Sequence, residues 1–144
     1  MPGTIGSLLA TLILSVLPKS VSLSLTFAII TFLLGWICCE LFIPKYETDK
    51  DPGYVVIDEA CGIFLGGTII YQLGLTSISA IICNFLLFRL FDIWKPFPIR
   101  NIERLLKAHD KTVSLGIMLD DILAVLLGTI VQVCCFDILS FHLV

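Results

Sequence analysis

The sequence predicts an all-α protein: a polytopic membrane bundle of about five helical segments, four or five of them entering the bilayer. Three observations carry this. Of 144 residues, 58% are apolar and only 15% charged, less charge than a soluble domain carries. Mean hydropathy is +1.03. Charge-free runs of spanning length recur along the chain. The length suits one domain, residues 1–144.

The elements follow in order. Leu8 to Leu17 is apolar, then Pro18-Lys19-Ser20 punctuates the chain. This piece spans a bilayer only if its helix begins near Thr4; a partly inserted or re-entrant helix fits equally well. Val21 to Cys39 has no charge and extends to Phe42, the length of a transmembrane helix. Ala60 to Phe88 is also charge-free. As one helix it would run about 43 Å, longer than the hydrocarbon core. Gly74-Leu75-Thr76-Ser77 supplies turn chemistry near its middle, so we expect a hairpin of helices near 57–73 and 76–91. One long tilted helix is the alternative. A polar segment, 92–116, follows, and Ile122 to Phe136 is the last apolar run, opened by Asp120-Asp121.

Composition excludes some functions. The net charge is −3 and no basic run appears, so no nucleic-acid partner is expected. Cys38, Cys39, Cys61, Cys83, Cys134 and Cys135 all lie in apolar stretches, which suits small buried side chains rather than disulfides or zinc. Cys83-x5-Arg89 has the spacing of a cysteine phosphatase loop, but Asn84-Phe85-Leu86-Leu87-Phe88 reads as helix. His109 and His142 stand apart from the acidic motifs. The N-terminus lacks a basic region, so no cleavable signal peptide is expected.

Under the hairpin, three regions reach one membrane face: Thr4 to Ser7, Glu40 to Glu59, and Arg89 to Asp121. Eight of the nine Lys and Arg residues then share that side, with Lys19 opposite, which makes it cytoplasmic. Two acidic pairs converge there, Asp58-Glu59 and Asp120-Asp121. Each could cap a helix start. Adjacent carboxylates in a membrane are also costly unless neutralised, and a hard cation such as Mg²⁺ does this while leaving sites for phosphate. In Arg89 to Arg100, Arg89 and Asp92 fall on one helix face. Lys95 and Arg100 flank Pro96-Phe97-Pro98, where fixed cations could hold phosphate. An interfacial anchor, with Trp94 at headgroup depth, reads as well. Pro2-Gly3-Thr4-Ile5-Gly6-Ser7 is either an anion-binding helix start or a close-packing seam.

These stretches, with Val56-Ile57-Asp58-Glu59-Ala60-Cys61-Gly62 and Gly116-Ile117-Met118-Leu119-Asp120-Asp121, resemble the phosphatidylglycerophosphatase A family in order and spacing. The resemblance implies a Mg²⁺-dependent phosphomonoesterase of the bacterial inner membrane, acting in phospholipid biosynthesis. Its substrate would be phosphatidylglycerophosphate, in contact with bilayer lipids, and its product phosphatidylglycerol. The family's acids fall on Asp58, Glu59, Asp92, Asp120 and Asp121 as metal ligands. All of these but Glu59 are also catalytic candidates. Its basic positions fall on Arg89, Lys95 and Arg100, with Thr4 and Ser7 beside them as phosphate-binding candidates. The chain departs from the family in starting almost at the first motif. Thr112-Val113-Ser114-Leu115 stands where glycines are usual, and Val125 where a glycine is common. Direct attack by water and an aspartyl-phosphate intermediate both stay open. An ion transporter would need access from both faces, and a non-catalytic subunit would be expected to lose charged positions. Oligomeric state is not legible.

Overall fold

A computed structural model of the protein describes residues 2–42, 55–107 and 113–142, excluding the side chains of 107 and 137–142. His109, Lys111 and Thr112 lie outside the described residues, as do the side chains of Lys107 and His142. Among the described residues there are six helices and no strand: α1 (Pro2–Val16), α2 (Val21–Phe42), α3 (Ile57–Gln72), α4 (Ile78–Trp94), α5 (Ile99–Lys107) and α6 (Val113–His142).

Local chemistry explains the boundaries. α1 opens at Pro2, whose missing N–H costs nothing in a first turn, and stops short of Pro18. Lys19 closes it by donating to the carbonyls of Leu14 and Ser15 at 3.2 and 2.6 Å. The break between α3 and α4 is a Schellman turn. Gly74, at φ +77°, donates its N–H to Tyr71 O, and Leu75 donates to Ile70 O at 2.8 Å. Gly74 can hold this left-handed geometry because it has no Cβ. Ser77 then caps α4 by accepting from the Ala80 N–H at 3.2 Å. The charge-free run 60–88 is therefore a hairpin.

Two expectations are corrected. The polar segment 92–116 contains a helix of its own, α5, which brings the described total above five. Its periodicity is strongly amphipathic: Ile99 is fully buried while Arg100 and Arg104 are exposed. Asp120-Asp121 does not start a helix. α6 begins at Val113, which places the pair in its third turn and removes the capping explanation for it.

α3 is the hub, with α1, α2, α4 and α6 packed around it. Small residues permit the close approach. Gly35 of α2 faces Met118 and Ile57, Gly62 faces Phe88, and Gly67 faces Leu14 and Ser24. The Ser24 hydroxyl donates to Phe64 O at 2.7 Å. A buried polar seam joins α4 to α6: the Asn84 amide donates to Thr129 Oγ1 and Gln132 Oε1 at 3.1 and 3.2 Å. Gln132 in turn donates to Ala80 O at 2.8 Å.

Among the described residues two helices are long and apolar enough to cross a membrane, Val21–Phe42 and the Val113–Phe136 part of α6. Only 17% of the apolar stretch of α2 is buried in the bundle. Leu8, Leu12, Ile29, Ile30, Leu34 and Ile37 face outward. Such outward apolar faces suit a membrane better than water.

The seam generates a test. A Cβ on Gly66 would meet Asn84 Oδ1 and Val125 Cγ2, and the Asn84 amide is held by Thr129 and Gln132. Gly66→Ala is expected to cost about 1–3 kcal/mol by overpacking, read as a lower midpoint for thermal unfolding in detergent.

Candidate active site

The two ends of the bundle differ in chemistry. At one end Tyr71 donates its hydroxyl to Leu14 O at 3.2 Å and Lys19 closes α1. At the other end lie the starts of α1 and α3, the end of α4 and the third turn of α6. Gly35, Ile57 and Met118 meet at one level. α2 runs seven residues past Gly35, and α6 begins five residues before Met118. At about 1.5 Å per residue these extensions stand roughly 10 and 8 Å beyond the start of α3. Ser114 on α6 donates to Glu40 Oε2 on α2 at 2.9 Å, tying the two extensions together. The charged groups below are thus recessed into the end of the bundle.

Asp58 and Glu59 occupy the first turn of α3. There is no side-chain cap at Val56, so the carboxylate of Asp58 is not consumed as an N-cap. Its Oδ1 accepts the Glu59 N–H at 2.9 Å. Asp121 arrives from α6. One carboxylate oxygen from each of Asp58, Glu59 and Asp121 lies within 4.8 Å of the others. Asp58 is 9% and Asp121 3% exposed. Three like charges at that spacing repel strongly in a medium of low dielectric. Glu59 Oε2 and Asp121 Oδ2 are both buried without a hydrogen-bond partner. Buried polar atoms are normally satisfied. Three hard oxygen donors with two orphaned oxygens fit a divalent cation, and the cluster could hold a metal ion.

Cations flank the cluster. Arg89 Nη1 donates to Asp92 Oδ2 at 2.7 Å, the helix-face pair expected from the spacing, and stands 3.8 Å from Glu59 Oε1. Its Nη2 donates to Thr4 Oγ1 at 3.2 Å. Its Nε is buried and unpartnered. Lys95 is the left-handed C-cap of α4, at φ 43°. Its ammonium bridges Asp120 Oδ2 at 2.7 Å and Glu103 Oε1 at 2.8 Å. Burial opposes its charge, but the Asp120 carboxylate, its hydrogen bond and Glu103 outweigh this and hold the pKa above the ordinary lysine range. Asp120 Oδ1 accepts the Asp121 N–H at 3.1 Å, which links the Lys95 pair to the carboxylate trio.

The structure sorts the candidates. Asp58, Glu59 and Asp121 form the trio. Asp92 and Asp120 each hold a cation beside it. Arg89, Lys95 and Thr4 line the same end. Arg100 is exposed on the outer face of α5. Ser7 is fully buried and donates to Gly3 O at 3.0 Å and Thr4 O at 3.2 Å. Its hydroxyl proton is committed to its own helix, as helical serines often are. Gly3 and Gly6 act by close packing: a Cβ at Gly3 would strike the Glu59 carboxylate, and one at Gly6 would strike Val56. Cys83 and Arg89 sit within continuous helix α4, so the cysteine phosphatase spacing has no loop. All six cysteines are free. Sequence reasoning missed Glu103. Its signal was available: among the exposed cations of α5 it shares the face of Ile99, four residues before it.

Comparisons with known proteins point to one family. The family model described as phosphatidylglycerophosphatase A matches residues 1–136. A phosphatidylglycerophosphatase A of Haemophilus influenzae is 38% identical over 135 residues, covering 90% of this chain and 76% of the relative. The Escherichia coli protein of that name is 31% identical over 132 residues, covering 86% of this chain and 67% of the relative. A Bacteroides thetaiotaomicron protein, named provisionally as a phosphatidylinositol-3-phosphatase, is 33% identical over 134 residues, covering 85% of this chain and 76% of its own length. No solved structure matches. With a recessed trio of carboxylates, cations beside it and the family pattern running through residue 136, the chain belongs to the phosphatidylglycerophosphatase A family and is a phosphatase.

Proposed function

We propose that this protein is a Mg²⁺-dependent phosphatidylglycerophosphatase of the bacterial inner membrane, built as a single membrane-embedded domain. It hydrolyses the terminal phosphate of phosphatidylglycerophosphate to give phosphatidylglycerol. The observation that carries the reading is the buried trio Asp58, Glu59 and Asp121, with two orphaned carboxylate oxygens, set beside Arg89 and Lys95. A phosphomonoester brings negative charge, and only a site that supplies countercharge can hold it.

The residues divide the work. Asp58, Glu59 and Asp121 are the metal ligands, with Asp92 and Asp120 next to them. Mg²⁺ held there would neutralise phosphate oxygens and polarise water. Arg89 and Lys95 bind non-bridging oxygens and stabilise the charge spread over them in a loose transition state. Arg89 Nε, buried without a partner, is a donor available to such an oxygen. Thr4 orients the guanidinium by accepting from Nη2. Asp92 holds Nη1 from the other side. Arg100 on the outer face of α5 meets the lipid surface. The recess lets the acyl tails stay among the outward apolar faces of the helices while the headgroup enters from the end of the bundle. All five membrane-entering elements, α1 with α2, the α3–α4 hairpin and α6, then carry their site ends to the cytoplasmic side. That assignment follows the excess of Lys and Arg there.

A second substrate reading has one specific support: a relative at 33% identity carries the name of a different lipid phosphatase. The shared chemistry is a phosphomonoester on a lipid headgroup. Comparing phosphatidylglycerophosphate with phosphatidylinositol 3-phosphate decides between them.

Four outcomes are expected. Purified protein in detergent releases phosphate from phosphatidylglycerophosphate with Mg²⁺ and stops with chelator. Asp121→Asn lowers kcat/KM on the order of 100-fold. Undiminished release under both treatments would sink the metal-carboxylate reading. Gly3→Ala, which displaces the Glu59 carboxylate, is expected to raise the Mg²⁺ concentration for half-activity about tenfold; Mg²⁺ titration of the rate measures it. Single cysteines at Asn101 and Thr76, in a background without the native cysteines, should react with an impermeant reagent from opposite faces of sealed vesicles; labelling from one face would break the topology.

A further inference from the structure

α5 is a short amphipathic helix at the site end of the bundle. Ile99, Ile102, Glu103 and Leu106 turn inward, and Arg100, Asn101, Arg104 and Leu105 are exposed. A charged side chain on the packed face of such a helix needs a reason, because burying a carboxylate costs free energy unless it is paired. Glu103 is 15% exposed at its side chain, and its Oε1 accepts from Lys95 Nζ at 2.8 Å. The same ammonium reaches Asp120 at 2.7 Å. The two carboxylates come from different helices and hold one cation between them.

Lys95 also pays a backbone cost. It sits at φ 43° and ψ 62°, a region non-glycine residues adopt only where their surroundings hold them. Its N–H donates to Phe91 O at 2.8 Å, but that bond fixes only the backbone. The direction of the ammonium is set by Asp120 and Glu103. Asp120 alone would leave the long lysine side chain free to rotate about a single contact, and a lysine loses much conformational freedom when fixed. An ammonium has three donors. Asp120 and Glu103 engage two, which leaves the third for a phosphate oxygen.

We propose that Glu103 is a positioning residue: from the packed face of α5 it shares Lys95 with Asp120 and holds the ammonium oriented toward the phosphate of the substrate. This rests on the reading of the site as a phosphomonoesterase. It ties the interfacial helix to the active site, since α5 is fixed by Ile99 at its start and by this ion pair one turn later.

The experiment uses full-length protein in detergent micelles with phosphatidylglycerophosphate and saturating Mg²⁺. Wild type, Glu103→Gln, Lys95→Gln and the double variant form a cycle, with Asn101→Ala as a control on the exposed face of α5. Glu103→Gln is expected to lower kcat/KM about tenfold, the scale of one charge-assisted hydrogen bond. The Mg²⁺ concentration for half-activity stays unchanged. Lys95→Gln lowers kcat/KM further, and the double variant is no worse than Lys95→Gln alone. Losses that multiply in the double variant would overturn the proposal, as would wild-type kinetics in Glu103→Gln. A merely structural Glu103 would lower the unfolding midpoint with kcat/KM intact, which also overturns it. Calorimetric binding of sn-glycerol 3-phosphate reads the same cycle without turnover and with the same expected pattern. Coupled binding in a protein that turns over no lipid phosphate would remove the phosphatase reading and leave the positioning role standing. A wild type that neither binds nor hydrolyses overturns both.

Discussion

Three carboxylates held within 4.8 Å of one another in the end of an apolar bundle are the constraint on which the rest of this structure depends. Ionised carboxylates in low dielectric repel each other and resent the loss of water. The fold must supply both the scaffold that forces them together and the countercharge that makes this tolerable. The scaffold comes from two helices that run in the same direction with staggered starts. α3 begins where α6 has already run two turns, so the first turn of α3 sets Asp58 and Glu59 beside Asp121. The countercharge comes partly from Arg89 and Lys95, each already engaged by another acid, Asp92 and Asp120. That distribution leaves the trio short of positive charge, which is why a cation belongs in the reading of the site.

Packing and chemistry share the same residues here. Gly3 lets α1 approach until its first turn touches Glu59, and Gly6 does the same against Val56. The close approach carries Thr4 to Arg89. Gly35 brings α2 against both Ile57 and Met118, which fixes the level at which α3 and α6 meet. Larger side chains at these places would hold the helices apart and separate the charged groups. Away from the site the α4–α6 seam of Asn84, Thr129 and Gln132 satisfies polar groups internally, as an apolar surround requires.

Much of this was legible in the sequence because its causes are local. The span of α2 follows from the charge-free run Val21 to Cys39, which the helix extends through Glu40 to Phe42. The hairpin follows from Gly74, whose positive φ the Schellman turn needs. Arg89 and Asp92 pair because three residues on a helix bring them to one face. The register of α6 was not legible in the same way. The apolar run starts at Ile122, but the helix starts at Val113, since Val113, Ile117 and Met118 bury their side chains against α2. α5 was missed because its apolar positions alternate with Arg100, Arg104 and Lys107, so composition reads as polar segment while periodicity reads as helix.

By itself the sequence determined the helical class, the hairpin, the family and the set of charged residues that gather at one end. Those follow from hydropathy, turn chemistry and motif order, which need no third dimension. Only the tertiary structure decided which of those residues touch. It separated the trio from the acids that hold cations, withdrew Ser7 into its own helix, and brought Glu103 to Lys95. The reason is physical: hydropathy fixes a helix and its end, but rotation about the helix axis and depth along it are set by what packs against it. The carboxylates opened as two sequence pairs, and the structure regrouped them as one trio and two ion pairs.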